Sequence, residues 1–317
     1  MSKPRVSVCI AAYNHADLIE ECVQSVLEQR AAVDLEVLIG VDQCPDDTLV
    51  KVRALAEQYP SIVECIDHAE KLPCGSDNYS IIINRASGDY IAHLDGDDFW
   101  LPGKLEQQLL FLDAHPSCSA CYTNAQVINR DRHVVGMFTT EQPREISLGY
   151  LIERGNFLNH SSLLYRARHK DVITAIEAPF VDYQIAVALA RQGNIGFISA
   201  PYTAYRYSAP NSIRVSHNDL VRELYWKAVE SVGDEEVSAS CLVRARAEFL
   251  RQTFFRSIKV RKISLFFVWW KRVSADQSKL ALAFVCFVSI LRRFGLEAIS
   301  SVAGSRLFGR RKIFYVR

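Results

Sequence analysis

Three carboxylates fall within four positions of the run His93-Leu94-Asp95-Gly96-Asp97-Asp98-Phe99-Trp100. Side chains so close repel one another unless a cation or hydrogen bonds compensate. Clustered oxygen ligands suit a hard divalent ion, Mg²⁺ or Mn²⁺, which would in turn hold phosphate oxygens. Gly96 allows a tight turn and the close approach of a ligand. The plainer alternative is an acidic loop leading into a helix at Pro102. Against it, the cluster ends an apolar strand and runs straight into aromatics. Asp42 follows a second apolar run and suits a hydrogen bond from a nucleobase N–H or a ribose hydroxyl; an Asx turn would use it equally well. Asp182 stands ahead of a helical stretch, where aspartate commonly serves as a cap.

These residues need a scaffold that brings them together. Residues 5–11 (RVSVCIA) and 35–41 (LEVLIGV) are short, apolar and β-branched, as buried strands are. Residues 62–67 and 90–94 read as a third and a fourth strand. Helices are expected over 16–29, from about Asp46 onward, and over 102–115, where Leu105, Leu109 and Leu112 share a face. Strand and helix alternating in this way predict an α/β fold, with a mostly parallel central sheet flanked by helices. In such sheets ligands bind outside the carboxyl ends of the strands. Three segments end there: Ala11-Ala12-Tyr13-Asn14, the stretch from Asp42 to Thr48, and Asp95-Gly96-Asp97-Asp98. Farther on, 119–128 and 195–198 read as strands, 183–191 as a helix, and the chain from 221 as helical.

The 317 residues are 49% apolar and 23% charged, with a net charge of +1. That profile excludes a disordered tail, a collagen-like fibre and a small disulfide scaffold. The net charge hides a split: residues 241–317 hold 17 Lys and Arg against 3 acids, whereas the rest is acidic. The N-terminal apolar run is too short for a signal peptide, and residues 280–291 are too short to span a bilayer. A cytoplasmic location and free thiols for the nine cysteines are the expectation. Cys118 and Cys121 form one CxxC without a second pair at zinc spacing. The span Gly304 to Gly309 has the length of a P-loop but carries Arg310 where Lys is required, which disfavours a P-loop NTPase.

Taken in order, VSVCIAAYNHADLIEECVQSVLEQ, LEVLIGVDQCPDDT and ASGDYIAHLDGDDFWLPGKLEQQ resemble the family 2 glycosyltransferases of the GT-A fold, in particular bacterial members that build surface polysaccharides. The resemblance covers roughly residues 4–215. It implies a GT-A domain over 1–215, with a donor half to about 115 and an acceptor half after it, and a helical basic region over 216–317. It implies a metal-dependent inverting transfer from a nucleotide-sugar donor, a UDP-sugar, to a glycan or lipid-linked acceptor. Nucleic acid is disfavoured as a partner on other grounds, since the chain ahead of its basic C-terminal stretch is acidic and no recognition motif appears. Residue by residue, Tyr13 and the backbone at Ala11 match the nucleotide-contacting segment, and Asp42 the aspartate near the base. The family's second acid there is Gln43 in this chain. Asp95 and Asp97 match the DxD pair, with Asp97 on the metal and Asp95 near the ribose or the metal. Asp182 matches the catalytic base, with Val181 where the family often has Glu. His160 and Arg206 match positions near the donor. An inverting transfer needs one carboxylate to take the acceptor's proton and a cation opposite to meet the charge of the leaving diphosphate.

Two other classes fit parts of the pattern. A sugar nucleotidylyltransferase would carry a Gly-rich, Arg-containing loop after the first strand, where this chain reads Ala11-Ala12-Tyr13-Asn14. A catalytically inactive, membrane-docked nucleotide-sugar-binding protein would have less use for the intact acids. Residues 254–294 interleave Phe and Trp with cations, a pattern that suits an anionic membrane surface and a peripheral place on the cytoplasmic face; a helical cap packed on the body is the alternative.

Overall fold

The computed structural model describes residues 3–68, 70–207, 218–275 and 279–303, with side chains given to residue 291. The Gly304 to Gly309 span lies outside the described residues, as does the stretch just after Arg206. The chain divides into two compact units. The first holds a ten-stranded sheet. The second gathers Leu148–Asn156 with the helices from Tyr225 onward.

The sheet begins with β1 (Arg5–Ala12), β2 (Asp34–Val41), β3 (Val63–Asp67) and β4 (Tyr90–Asp95), ordered β3-β2-β1-β4 and parallel throughout. Val6, Val8 and Ile10 of β1 and Val37 and Ile39 of β2 are fully buried. Both faces are covered, which is why these strands read as continuous apolar runs and not as alternation. Helix α1 (Ile19–Leu27) packs Ile19, Cys22, Val23 and Val26 onto this layer. Helix α2 (Thr48–Gln58) follows β2.

Sequence reading passes over α3 (Gly75–Arg85), which lies between β3 and β4. It lies very close to β2: a Cβ at Gly40 would come within 2.0 Å of Asn78 Oδ1 and 2.6 Å of Ile82. The Asn78 amide donates to the Gly40 carbonyl at 2.9 Å.

The rest of the sheet is mixed. After β5 (Phe99–Trp100) and α4 (Lys104–Ala114) come β6 (Cys118–Ile128), β7 (Val134–Met137) and β8 (Glu145–Ile146). Then β9 (Leu164–Arg166) inserts between β4 and β6, antiparallel to both. Past α6 (Lys170–Thr174) and α7 (Asp182–Gln192), β10 (Asn194–Arg206) runs parallel to β6. It continues well beyond the 195–198 expected from sequence because register shifts around Pro201 let the strand absorb a proline and go on. That extension delivers Arg206 to the carboxyl end of the sheet.

In the second unit, α5 (Leu148–Arg154), α10 (Ser264–Val273) and α11 (Lys279–Ala303) pack against α9 (Ala239–Lys259), which follows α8 (Asn218–Glu230). Trp226, Phe249 and Trp269 form its aromatic centre, with ring centroids 5.0 to 6.4 Å apart. No described helix is long and apolar enough to cross a membrane. All nine cysteines are free thiols. Cys118 and Cys121 are buried on β6, and burial pushes the Cys118 thiol up to about 11.

Candidate active site

The acidic turn is stitched to the end of β1. Ala11 pairs with Asp95 across the parallel ladder, and the Gly96 N–H donates to the Ala11 carbonyl at 3.0 Å. A Cβ at Gly96 would sit 2.6 Å from His15 Nδ1 and 3.1 Å from the Ala11 carbonyl, so the turn closes this tightly only with glycine. Asp95, Asp97 and Asp98 each offer a carboxylate oxygen, and the three oxygens lie within 4.8 Å of one another.

The three acids are not equivalent. Asp98 is buried and both of its oxygens are taken: Ser161 Oγ donates to one at 2.6 Å and the Arg206 backbone N–H to the other at 2.9 Å. Asp95 accepts from the Tyr79 hydroxyl at 2.7 Å, and its N–H donates to Ser161 Oγ at 3.2 Å. Asp97 carries no such clamp. Burial raises its carboxyl above the ordinary range; His15 opposes that shift and Asp95 adds to it. Burial, with Asp97 and Asp95 beside it, raises Asp98 far more. A compact set of carboxylates, with Asp97 and Asp98 raised by burial and by their acidic neighbours, fits a hard divalent cation. Asp97 and Asp95 are the pair with oxygens to give it.

Beneath the turn lies a ring cluster. Tyr79 stacks on His93 at 5.1 Å and meets the edge of His160 at 4.9 Å; the two imidazoles approach at 3.3 Å, His93 Nδ1 to His160 Nε2. Burial, His160 and Lys104 hold His93 well below the usual histidine range. His160 therefore stands under the turn, against His93, and the short helical turn His160–Ser162 brings Ser161 to both Asp95 and Asp98. Trp100 Nε1 donates to the Ser161 carbonyl at 2.8 Å. Lys104, fully buried, lies 4.0 Å over the Trp100 ring and donates to Gln108 Oε1 at 2.7 Å. Gln108 in turn donates to the Cys121 and Ser162 carbonyls.

The other expected residues border the same strand ends. Asp42 Oδ1 accepts from the Gln43 N–H at 2.8 Å and the Leu72 N–H at 3.0 Å, contacts that tie down the following loop. The Asp42 N–H donates to the Ala12 carbonyl, and Lys71 lies 5.6 Å over the Tyr13 ring. Asn14 adopts a left-handed backbone, φ 55°, which asparagine tolerates. Asp46 holds the approach to α1 through the Ala16 N–H and also accepts from Thr48. Burial pushes the Asp46 carboxyl up, but these hydrogen bonds outweigh it and bring it to about 2.

Arg206 is engaged through both its side chain and its backbone. Its guanidinium pairs with Glu21 of α1 and lies 5.1 Å over the Phe99 ring, while its backbone holds Asp98. Asp182 opens α7, with its carboxylate on the Tyr183 N–H at 2.9 Å. Just before it, the Phe180 N–H donates to Ser76 Oγ, one helical turn from Tyr79. Asp182 also acts electrostatically on Tyr122 of β6. These contacts tie the Asp182 segment to the helix that holds Asp95. Sequence reading missed Tyr79, Ser161 and His15. Tyr79 lies on the unforeseen α3; the other two adjoin His160 and Asn14 but belong to no recognisable chemical pattern.

Among curated relatives, an uncharacterized protein of Mycobacterium tuberculosis is 28% identical over 229 residues, 70% of this chain and 64% of that protein, so the match spans under two thirds of its length. The Escherichia coli UDP-Glc:alpha-D-GlcNAc-diphosphoundecaprenol beta-1,3-glucosyltransferase WfaP is 32% identical over 56% of this chain and 65% of its own. Of solved structures, S. aureus TarS 1-349 in complex with UDP-GlcNAc aligns with TM-score 0.65 at 18% identity, over 95% of this chain and 92% of that one. The mannosyltransferase PcManGT from Pyrobaculum calidifontis, in complex with GDP-Man and Mn2+, aligns with TM-score 0.54 at 18% identity, over 92% and 81%. These likenesses carry the fold, with its sheet and its C-terminal helices. The model of the family described as Glycosyl transferase family 2 matches residues 7–176, more than half the chain and including the acidic turn itself, and the chain belongs to that family.

Proposed function

We propose that the protein is a metal-dependent inverting glycosyltransferase that moves a sugar from a UDP-sugar to a lipid-linked glycan in surface polysaccharide synthesis, working at the cytoplasmic face of the membrane. The observation that carries the reading is the acidic turn, with Asp95 and Asp97 offered at the carboxyl end of a family 2 sheet. The E. coli relatives WfaP and WfgD, named for UDP-Glc and a diphosphoundecaprenol acceptor, support the donor and acceptor classes. TarS, solved with UDP-GlcNAc, supports the uridine nucleotide. Catalysis belongs to residues 1–215 in this reading, and 216–317 form an accessory helical region.

Asp97 and Asp95 would hold Mn²⁺ or Mg²⁺, which when bound supplies positive charge to the departing diphosphate. Tyr13, Asp42 and the backbone at Ala11 border the place for the nucleoside. Asp182 acts as general base: the acceptor hydroxyl attacks the anomeric carbon, its proton passes to the Asp182 carboxylate, and the bond from that carbon to the phosphate oxygen breaks. The products are the lengthened glycan, with inverted configuration, and a nucleoside diphosphate. His160 and Arg206 act by position, His160 under the turn and Arg206 by pinning Asp98.

The test is nucleoside diphosphate release from a panel of nucleotide sugars with Mn²⁺ or Mg²⁺ and a lipid-linked acceptor. Asp182→Asn should lower turnover by about 10²–10⁴-fold with donor binding kept, the usual loss for a missing general base. Asp97→Asn should abolish the metal response. Release with no donor would defeat the reading; near-normal turnover by Asp182→Asn would remove that residue from its role.

A further inference from the structure

The second unit carries an apolar face that its own packing leaves open. Along α11, Leu280, Phe284, Phe287 and Leu291 recur at spacings of four, three and four, a single helical stripe. Their exposures are 85%, 69%, 59% and 51%, whereas Leu282 and Cys286 on the other side are buried. On α10, Phe267 and Val268 are 61% and 67% exposed while Trp269 and Val273 turn inward. Ile263 and Val260, just before α10, are exposed as well. A water-soluble surface seldom leaves this many large apolar side chains bare without a use for them.

The charge around the face is mostly positive. The sequence holds no Asp or Glu from 249 to 275, where Arg261, Lys262 and Lys271 are exposed, and Lys279 is exposed just beyond; the next acid in the sequence is Asp276, and Glu230 pairs with Arg272. A second copy meeting it face to face would set these cations against their own kind, which disfavours a two-fold contact through this face. An anionic lipid surface satisfies both features: Phe and Leu enter the acyl boundary and Lys and Arg meet the phosphate headgroups. We propose that the outer faces of α10 and α11, with the loop around Arg261 and Lys262, form a monotopic docking surface for anionic phospholipid. The proposal deepens the transferase reading and rests on it for its purpose, since a lipid-linked acceptor is met at a membrane. Its physical basis is independent of catalysis.

The experiment is sedimentation of the full chain with vesicles of phosphatidylcholine alone and of phosphatidylcholine mixed with phosphatidylglycerol, at low and high salt. The wild type should bind the anionic vesicles and release in part as salt rises. The exposed-site double variant Phe284→Ser/Phe287→Ser should lower partition about tenfold with an unchanged thermal midpoint. Lys262→Glu/Lys271→Glu should lower it on the anionic vesicles and remove the salt dependence. Equal binding by wild type and both variants, or no preference for anionic vesicles, overturns the proposal. A stable dimer in light scattering that the Phe variant dissolves also overturns it, in favour of a second copy. Sedimentation reads no turnover, so its failure leaves the transferase reading standing, and an inactive but vesicle-bound protein would refute only the latter.

Discussion

Lys104 offers a quantitative test of how the site is supported. Its ammonium is fully buried under the acidic turn, with the Trp100 face and the Gln108 amide oxygen as polar company and no carboxylate partner among the described residues. Burial lowers it from 10.5 to about 7. The titratable groups that face it, Cys121 on β6 and His93 on β4, are both held neutral by burial. Because the folded pKa lies below the unfolded one, the unfolded chain binds more protons between pH 7 and 10.5. Stability attributable to Lys104 therefore rises with pH across that window, and the burial cost is full below it. At about 1.4 kcal/mol per pH unit of difference, the cost is on the order of 4 kcal/mol at pH 7 and about 2 kcal/mol at pH 9. Lys104→Met keeps the length of the side chain and removes the charge. It also forfeits a cation–π contact of about 1 kcal/mol and leaves Gln108 Oε1 unpaired, about 1–3 kcal/mol, so at pH 7 the two proteins should be close in stability. The pH dependence is the sharper readout. Buried thiols such as Cys9 and Cys22 titrate the other way, but both proteins share them. In urea unfolding from pH 7 to pH 9, wild type should gain about 2 kcal/mol relative to Lys104→Met. A difference that stays constant over those two units would mean that Lys104 remains charged when buried, and the account of a neutralising lysine would be wrong.

Two further outcomes follow from α3. Tyr79→Phe removes the hydroxyl that holds Asp95 Oδ1 at 2.7 Å and should raise the Mn²⁺ concentration for half-maximal turnover about tenfold, the scale of a lost partner behind a metal ligand; an unchanged metal titration would deny Tyr79 that role. Gly40→Ala sets a methyl 2.0 Å from Asn78 Oδ1, which should cost about 1–3 kcal/mol in chemical unfolding and shift the metal titration in the same direction as Tyr79→Phe, because Asn78 and Tyr79 are neighbours on one helix; full stability would show that α3 yields freely.

The parallel half of the sheet was legible because β1, β2 and β4 are buried on both faces and print as unbroken apolar runs. The acidic turn was legible for a different reason: like charges that close together need an explanation. Helix α3 was not, since its inward face mixes Asn78 and Tyr79 with Ile82 and Ile83 and its contact with β2 depends on a glycine in another element. Strand β10 runs past the apolar 195–198 because register shifts against β6 carry it through Pro201, which no local pattern in the sequence announces. His160 and Arg206 were found by resemblance alone. No local pattern announces that one will press against His93 and the other pin Asp98 with its backbone.

The separation of roles among the three acids follows from what each one touches. A carboxylate whose oxygens are both engaged by donors has little left for a cation, and Asp98 is engaged by Ser161 and by the chain at Arg206. It ties the turn to β10 and to the His160–Ser162 segment, so β4, β10 and the residues before β9 converge on one side chain. Asp95 is half engaged, steered by Tyr79 with its second oxygen only 3.4 Å from Ser161 Oγ. Asp97 is left with burial and Asp95 beside it, set against His15, its own backbone N–H and Arg206. An acid in that position gains most from a cation, because the cation relieves both the desolvation and the repulsion at once. The braced Asp98 makes that arrangement rigid before any ligand arrives, and a preorganised ligand pair spends less of its affinity on ordering itself.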